Sequence, residues 1–517
     1  MKSLQARMAL RRSNPFVMLA VGVLVGGLLV ALTKTPTNSR VATGGPGAGG
    51  LTAGQSGPGQ ALPGSGGPSV TASGPAGNGS AGASGGAGPA GAGTAGSGGA
   101  GTPAASAAAT DGCSGLSASG QQGVTAKTIK IGFALPNLGV LSAAVNIGNP
   151  QADIDAALKG MRKSGRLPVC GRDIVPVYQT FNVLDPSQSR AACDTFADQD
   201  QVFAVVSLFG FAASQCVTQE KKVFLLDAGQ TETLSEMAST PLLFTSDPPI
   251  DAQILDFAYW AASSGNLNGK TIGVYYNQNG PGGTAPPGAL IQQDLINALA
   301  KLGHPVKDVV VSTTAENSSA PTAADPTDTV AVEKFKADGI QVVFPMEDSA
   351  NFFQQAQAQN YHAQWLVFSS AMASDATTNT YPNSLEGALG LLWEQVGAAQ
   401  SGIAPNAPTQ LCERWYTEAG NGSPPQRDSA AELTLRESCD PLDLLVRALQ
   451  AAGNNLTYST LISGMFTISN VPQAYYANQT FRSGKQWGAA QNVVEQWHSS
   501  CSCWKFAQPF TPLYWNP

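Results

Sequence analysis

Histidine is nearly absent. His304, His362 and His498 are the only three in 517 residues. None stands in an H-E-x-x-H, a G-x-S-x-G or a paired-cysteine context. His304 follows Leu302-Gly303 at an expected helix end, where a charge–dipole role suffices. No pair of carboxylates stands out as a glycosidase couple. These absences argue against an enzyme. Charge is scarce as well, at 12% of residues, and between Val41 and Thr110 there is none. The net charge of −7 lacks the basic excess of a nucleic-acid protein.

What the N-terminal part does contain is an address and a spacer. Lys2, Arg7, Arg11 and Arg12 precede the uncharged run Pro15–Leu32. As a helix this run spans ~27 Å, close to the hydrocarbon thickness of a bilayer. Residues 1–14 are expected on the cytoplasmic side and everything beyond the run outside it. Residues 15–32 are expected as a transmembrane anchor or a cleaved signal peptide. No cysteine follows to carry a lipid, and no clean A-x-A site stands near Leu32. Residues 33–112 are Gly, Ala, Ser, Pro and Thr with almost nothing bulky. They bury too little apolar surface to offset chain entropy, so a disordered tether with an r.m.s. span of ~50 Å is expected.

All eight cysteines follow the tether: Cys113, Cys170, Cys193, Cys216, Cys412, Cys439, Cys501 and Cys503. An even count in an exported chain reads as disulfides. Count alone leaves connectivity open. Sequence-near pairing joins 113 to 170, 193 to 216 and 412 to 439, with 501 to 503 a geometrically tight fourth. Cys501-Ser502-Cys503 with His498 does not complete a four-ligand zinc site, and no cofactor is expected.

The remainder alternates strands and helices, twice over. Alternating Ile129, Ile131, Phe133 and Leu135 read as a strand. Asn149-Pro150 and Asp185-Pro186 read as helix starts, each with Pro at the first position. Val202–Leu208 and Val223–Leu226 are short continuous apolar runs, as expected of strands buried on both faces. Each gives way to small and polar residues, where a ligand can approach backbone N–H groups. After Pro249 the pattern restarts, with strands expected at Thr271–Tyr276, Val309–Val311, Ile340–Phe344, Trp365–Phe368 and Ala388–Trp393. A helix is expected at Pro441–Ala452 with Asp440 as cap. Two α/β lobes with parallel sheets follow from this order.

The order and spacing resemble the type 1 periplasmic binding proteins, and within them the leucine/isoleucine/valine-binding branch of ABC importers. The resemblance rests on GVTAKTIKIGFALP (Gly123–Pro136), FAVVSLFG (Phe203–Gly210), KKVFLLDAGQTETLSE (Lys221–Glu236), LLFTSDPP (Leu242–Pro249), GKTIGVYYNQNGPG (Gly269–Gly282) and FKADGIQVVFPM (Phe335–Met346). It implies two lobes within residues 113–517, lobe 1 near 123–248 plus 373–470 and lobe 2 near 249–371 plus 471–517. Three crossings are then expected near Ser246–Pro249, Ser370–Ser374 and Ile468–Gln473. It also implies a first-lobe disulfide that suits Cys193–Cys216.

Carried over, the ligand's charged end meets the turns at Phe209, Gly210, Ala228, Gly229, Gln230 and Thr231. Thr231 alternatively caps the helix after it. On the second lobe the matching positions are Tyr276, Asn279, Met346, Glu347 and Ser370. Two departures stand out: Asn279 occupies an aromatic's place, and Ser369-Ser370-Ala371 lacks the acid that pairs an ammonium. Glu347 is the candidate substitute. The resemblance implies an extracytoplasmic solute receptor that docks on ABC permease subunits. A sensor or surface interaction protein on the same fold is the alternative.

Overall fold

A computed structural model describes residues 113, 120–138, 146–182, 185–208, 213–228, 232–278, 288–312, 326–346, 350–368 and 383–515. The stub, apolar run and tether lie outside these residues. Among the described residues no helix is long and apolar enough to cross a membrane.

Five parallel strands form the first sheet: β1 (Thr128–Asn137), β2 (Asp173–Asn182), β3 (Ala204–Ser207), β4 (Phe224–Asp227) and β5 (Leu243–Thr245), in the order β2-β1-β3-β4-β5. β3 and β4 are buried at every residue, as continuous apolar runs require. Helices α1 (Pro150–Lys163) and α2 (Pro186–Asp194) start where Asn149 accepts from the Ala152 N–H and Asp185 from the Ser187 N–H. Helix α3 (Leu234–Ser239) opens on a capping box formed by Thr233 and Glu236. The cap is therefore Thr233, not Thr231.

The chain leaves this sheet after Thr245 and enters α4 (Ile250–Ser263). A second sheet contains β6 (Ile272–Asn277), β7 (Asp308–Ser312), β8 (Val342–Pro345), β9 (Gln364–Val367), β10 (Leu389–Leu392), β11 (Gln491–His498), β12 (Cys503–Phe506) and β13 (Thr511–Pro512). Its parallel part runs β7-β6-β8-β9-β10, and β11 and β12 close one side antiparallel. This repeats the first sheet's order, with β6 in the place of β1. Between these strands lie α5 (continuous through Gly288–Leu290, Ile291–Ile296 and Asn297–Lys301), α6 (Pro326–Ala337) and α7 (Ala350–Ala358).

Strand β10 corrects the expected lobe boundary. Leu389 lies opposite Leu366 of β9 and opposite Gln496 of β11. Residues 389–392 thus belong to the second sheet, and the second crossing follows Trp393 instead of running near Ser370–Ser374. Trp393 is buried, donates to Asp256 of α4 at 3.0 Å and contacts Phe368. The chain then forms α8 (Ala407–Ala419) and α9 (Ala430–Ala452), which join the first lobe against α1, and α10 (Tyr458–Met465), which packs on α9.

The third crossing is also later than expected. Phe466 and Phe481 both pack on Phe244 of β5, so the chain is still with the first lobe there. It passes over at residues 486–489, where Gly488 donates to Thr245 and Ala489 to Ser246. Lys485 shapes this passage by donating to the carbonyls of Thr480, Trp487 and Ala489 at 2.8–2.9 Å. Burial and Arg482 push its ammonium down to about 7.

Asp440 does not cap a helix. α9 runs unbroken from its cap Ser429 through Pro441 to Ala452. The Asp440 side chain is committed elsewhere, and Pro441 merely leaves one carbonyl of the preceding turn without its helical donor.

Disulfides join Cys113–Cys170, Cys193–Cys216, Cys412–Cys439 and Cys501–Cys503. The third ties α8 to α9. Helices α9 and α10 approach so closely that a Cβ on Gly464 would sit 2.2 Å from the Ala448 carbonyl oxygen. A backbone atom cannot rotate away, so Gly464→Ala is expected to lower stability by about 1–3 kcal/mol through overpacking. Urea unfolding would show this as a lower midpoint with unchanged slope.

Candidate functional site

In each sheet the strand order reverses between the first and third strands, which are β1 and β3 in one lobe and β6 and β8 in the other. In open α/β sheets such a reversal, at the carboxyl ends of the strands, is where ligands bind. At the first such point Leu208 donates to Ala134, and Ser207 is fully buried. Phe209 and Gly210, which follow directly, lie outside the described residues.

Next along the sheet, Ala228 directly follows β4. Its N–H donates to the Ser207 carbonyl at 3.1 Å, and its carbonyl accepts from the Tyr476 hydroxyl at 2.7 Å. Both backbone groups of Ala228 are thus committed within the protein. An amide offered to a ligand by this turn must come from another position; Gly229, Gln230 and Thr231 lie outside the described residues.

At the second switch point Tyr276 and Met346 come together across β6 and β8. Met346 is fully buried and donates its N–H to the Tyr275 carbonyl at 2.8 Å. Its side chain is core. Tyr276 is 5% exposed, and burial raises the pKa of its phenol. Its ring packs so near the start of α5 that a Cβ on Gly288 would meet Cε2 at 2.8 Å. Asn279, Glu347 and Ser370 lie outside the described residues.

The structure adds a group of residues that sequence reasoning did not single out. The second crossing and the segment before the third run side by side: Gln395 donates to Tyr475 at 2.7 Å, and Glu394 bridges Tyr476. Asp440 accepts from the N–H groups of Ala474, Tyr475 and Tyr476 at 2.8, 2.7 and 3.1 Å. Arg436, one turn earlier on α9, pairs with Glu432 at 2.8 Å and donates to the Ala474 carbonyl at 3.2 Å. Burial and the negative charges of Asp247, Glu394 and Glu437 hold both tyrosine hydroxyls well above their usual pKa. In the sequence these residues carry no motif: Gln473-Ala474-Tyr475-Tyr476 is aperiodic, and the acids on α9 read as an ordinary helix face.

A metal is a poor fit to the cysteines. Cys193, Asp194 and Cys216 bring ligand atoms together, but both sulfurs are bonded to each other.

A model of the family described as "Periplasmic binding protein" matches residues 128–497, which include the parallel strands of both sheets. The chain belongs to this family. Solved periplasmic binding proteins share its fold. A leucine binding protein from Thermotoga maritima MSB8 is 15% identical with a TM-score of 0.54, covering 74% of this chain and 99% of that one. A branched chain amino acid ABC transporter protein from Thermus thermophilus, with bound valine, is 12% identical with a TM-score of 0.54, covering 75% and 98%. A fatty acid ABC transporter substrate-binding protein from Thermomonospora curvata is 17% identical with a TM-score of 0.50, covering 76% and 94%. No curated protein matches the chain.

In this periplasmic binding protein the buried Asp440 has a testable signature. Burial pushes its carboxyl from 3.8 up to about 7, against the opposing pull of the three N–H donors. With the folded value above the unfolded one, its contribution to stability is fully present below about pH 4 and lost as pH rises to about 7. Asp440→Asn cannot titrate. Its stability relative to wild type is therefore expected to improve from pH 4 to pH 7 and stay level above; urea melts across that range read the difference.

Proposed function

We propose that this chain is an extracytoplasmic solute-binding protein of an ABC importer, tethered to the membrane through residues 15–32 and 33–112. It closes two lobes, one about 123–246 plus 396–489 and the other about 250–393 plus 491–515, on a small polar ligand. Amino acids, amides and related carboxylates are the ligand classes in question. The observation that carries this reading is the doubled strand order, with one switch point in each sheet and the two sheets connected by three crossings.

The turns after β3 and β4 receive the ligand's polar end, through backbone amides and the Thr231 hydroxyl. Tyr276 and the positions around Asn279, Glu347 and Ser370 form the opposite wall. Contacts made to both lobes only in the closed form shift the population toward closure, and the closed form docks on permease subunits. Structurally similar ABC transporter proteins, solved with leucine or valine bound or named for fatty acids, support a transport role and a broad choice of ligand. Binding is proposed without turnover and without a cofactor.

Thermal-shift screening of the full chain against amino acids, amides, short peptides, sugars, fatty acids and aromatic acids tests this. A ligand that binds only the folded state stabilises it by about 2.7 kcal/mol at a hundredfold excess over Kd, and so raises the melting temperature with concentration. For that ligand Gln230→Ala and Thr231→Ala are expected to weaken binding. No shift across all classes favours a surface interaction protein instead, and conversion of any ligand favours an enzyme.

A further inference from the structure

Among the described residues the hydroxyl of Tyr476 has one partner, far away in sequence: the carbonyl of Ala228. Tyr476 is fully buried, and Ala228 is 1% exposed. A phenylalanine would fill the same space, so packing alone does not call for the hydroxyl. The bond it makes fixes the peptide that directly follows β4.

Tyr476 is itself held from two directions. Asp440 of α9 holds its N–H and those of the two residues before it. The second crossing holds its carbonyl through the Gln395 side chain at 2.7 Å and the neighbouring peptides through Gln395 N–H and Trp393 C=O. A continuous set of hydrogen bonds thus runs from the crossing at 393–395 through 475–477 to Ala228, and on through the Ala228 N–H to Ser207 of β3. Any rotation of the lobes turns the peptide planes at the crossing.

We propose that Tyr476 is a positioning residue that couples the second crossing to the first-lobe ligand turn, with Asp440 holding Tyr476 in place. The proposal rests on the ligand-binding reading above. Neither residue touches the ligand. Removing the hydroxyl leaves the Ala228 carbonyl buried without its partner, which loosens the end of β4 while the rest of the sheet keeps its ladder.

Hydrogen exchange on the full-length Tyr476→Phe protein tests this without a ligand. Exchange in the peptide Leu226–Thr233 is expected to rise about tenfold, with the β1 peptide Thr128–Asn137 unchanged. Asp440→Asn is expected to give the same local signature. With L-leucine as the probe, calorimetry under conditions where both proteins remain folded is expected to show about tenfold weaker binding by Tyr476→Phe. A purely structural role predicts a uniform rise in exchange and unchanged affinity; either result overturns the proposal, as does no change at Leu226–Thr233. If Asp440→Asn leaves that peptide unaffected, Asp440 does not hold Tyr476. A wild type that binds no leucine counts against the amino-acid reading, and the exchange result alone then decides the positioning claim.

Discussion

Residues 474–476 have neither a helix nor a long ladder to satisfy their backbone, yet they cross the interior. A buried peptide group without a partner costs about 1–3 kcal/mol, so each must be met individually. Asp440 takes all three N–H groups on one carboxylate. The carbonyl of Ala474 is met by Arg436 and Thr409, that of Tyr475 by the Gln395 N–H, and that of Tyr476 by the Gln395 side chain. Asn406 and Gln395 hold the Gln473 carbonyl just before them. The satisfied segment brings α8, α9, the second crossing and β4 to one place. Its cost is a buried carboxylate, which a non-titrating residue would not incur.

Around that point the fold is one arrangement used twice. Both parallel sheets run second-first-third-fourth-fifth, so each has a switch point at the carboxyl ends of its strands. The crossings are short and paired. Thr245 and Ser246 bond to 486–489, and 393–395 to 475–477. Asp256 adds a tie on the second lobe by accepting from Trp393, Asn492 and Trp515.

Much of this architecture was legible along the chain. Continuous apolar runs at 202–208 and 223–226 marked strands buried on both faces. Asn149-Pro150 and Asp185-Pro186 marked helix starts, because the cap and the fixed proline φ act within one turn. Such signals are local, and tertiary contacts reinforced them. The site was less legible. Ala228 could be named from its place after a strand, but the commitment of both its backbone groups depends on Ser207 and Tyr476. Met346 could be named in the same way, and burial turned its side chain into core.

Asp440-Pro441 shows why local rules fail at this point. The dipeptide has the form of a helix start, yet α9 passes through it, because tertiary packing of its apolar face and the Cys412–Cys439 bond outweigh one missing helical donor. Strand β10 could be placed in either lobe from its apolar pattern; only its pairing with β9 and β11 assigns it. The sequence by itself determined the two α/β units and most element ends, since these rest on periodicity, capping and turn chemistry within a few residues. Tertiary structure alone decided where the chain crosses between lobes and which groups hold the crossings, since those depend on hydrogen bonds between residues up to about 250 positions apart.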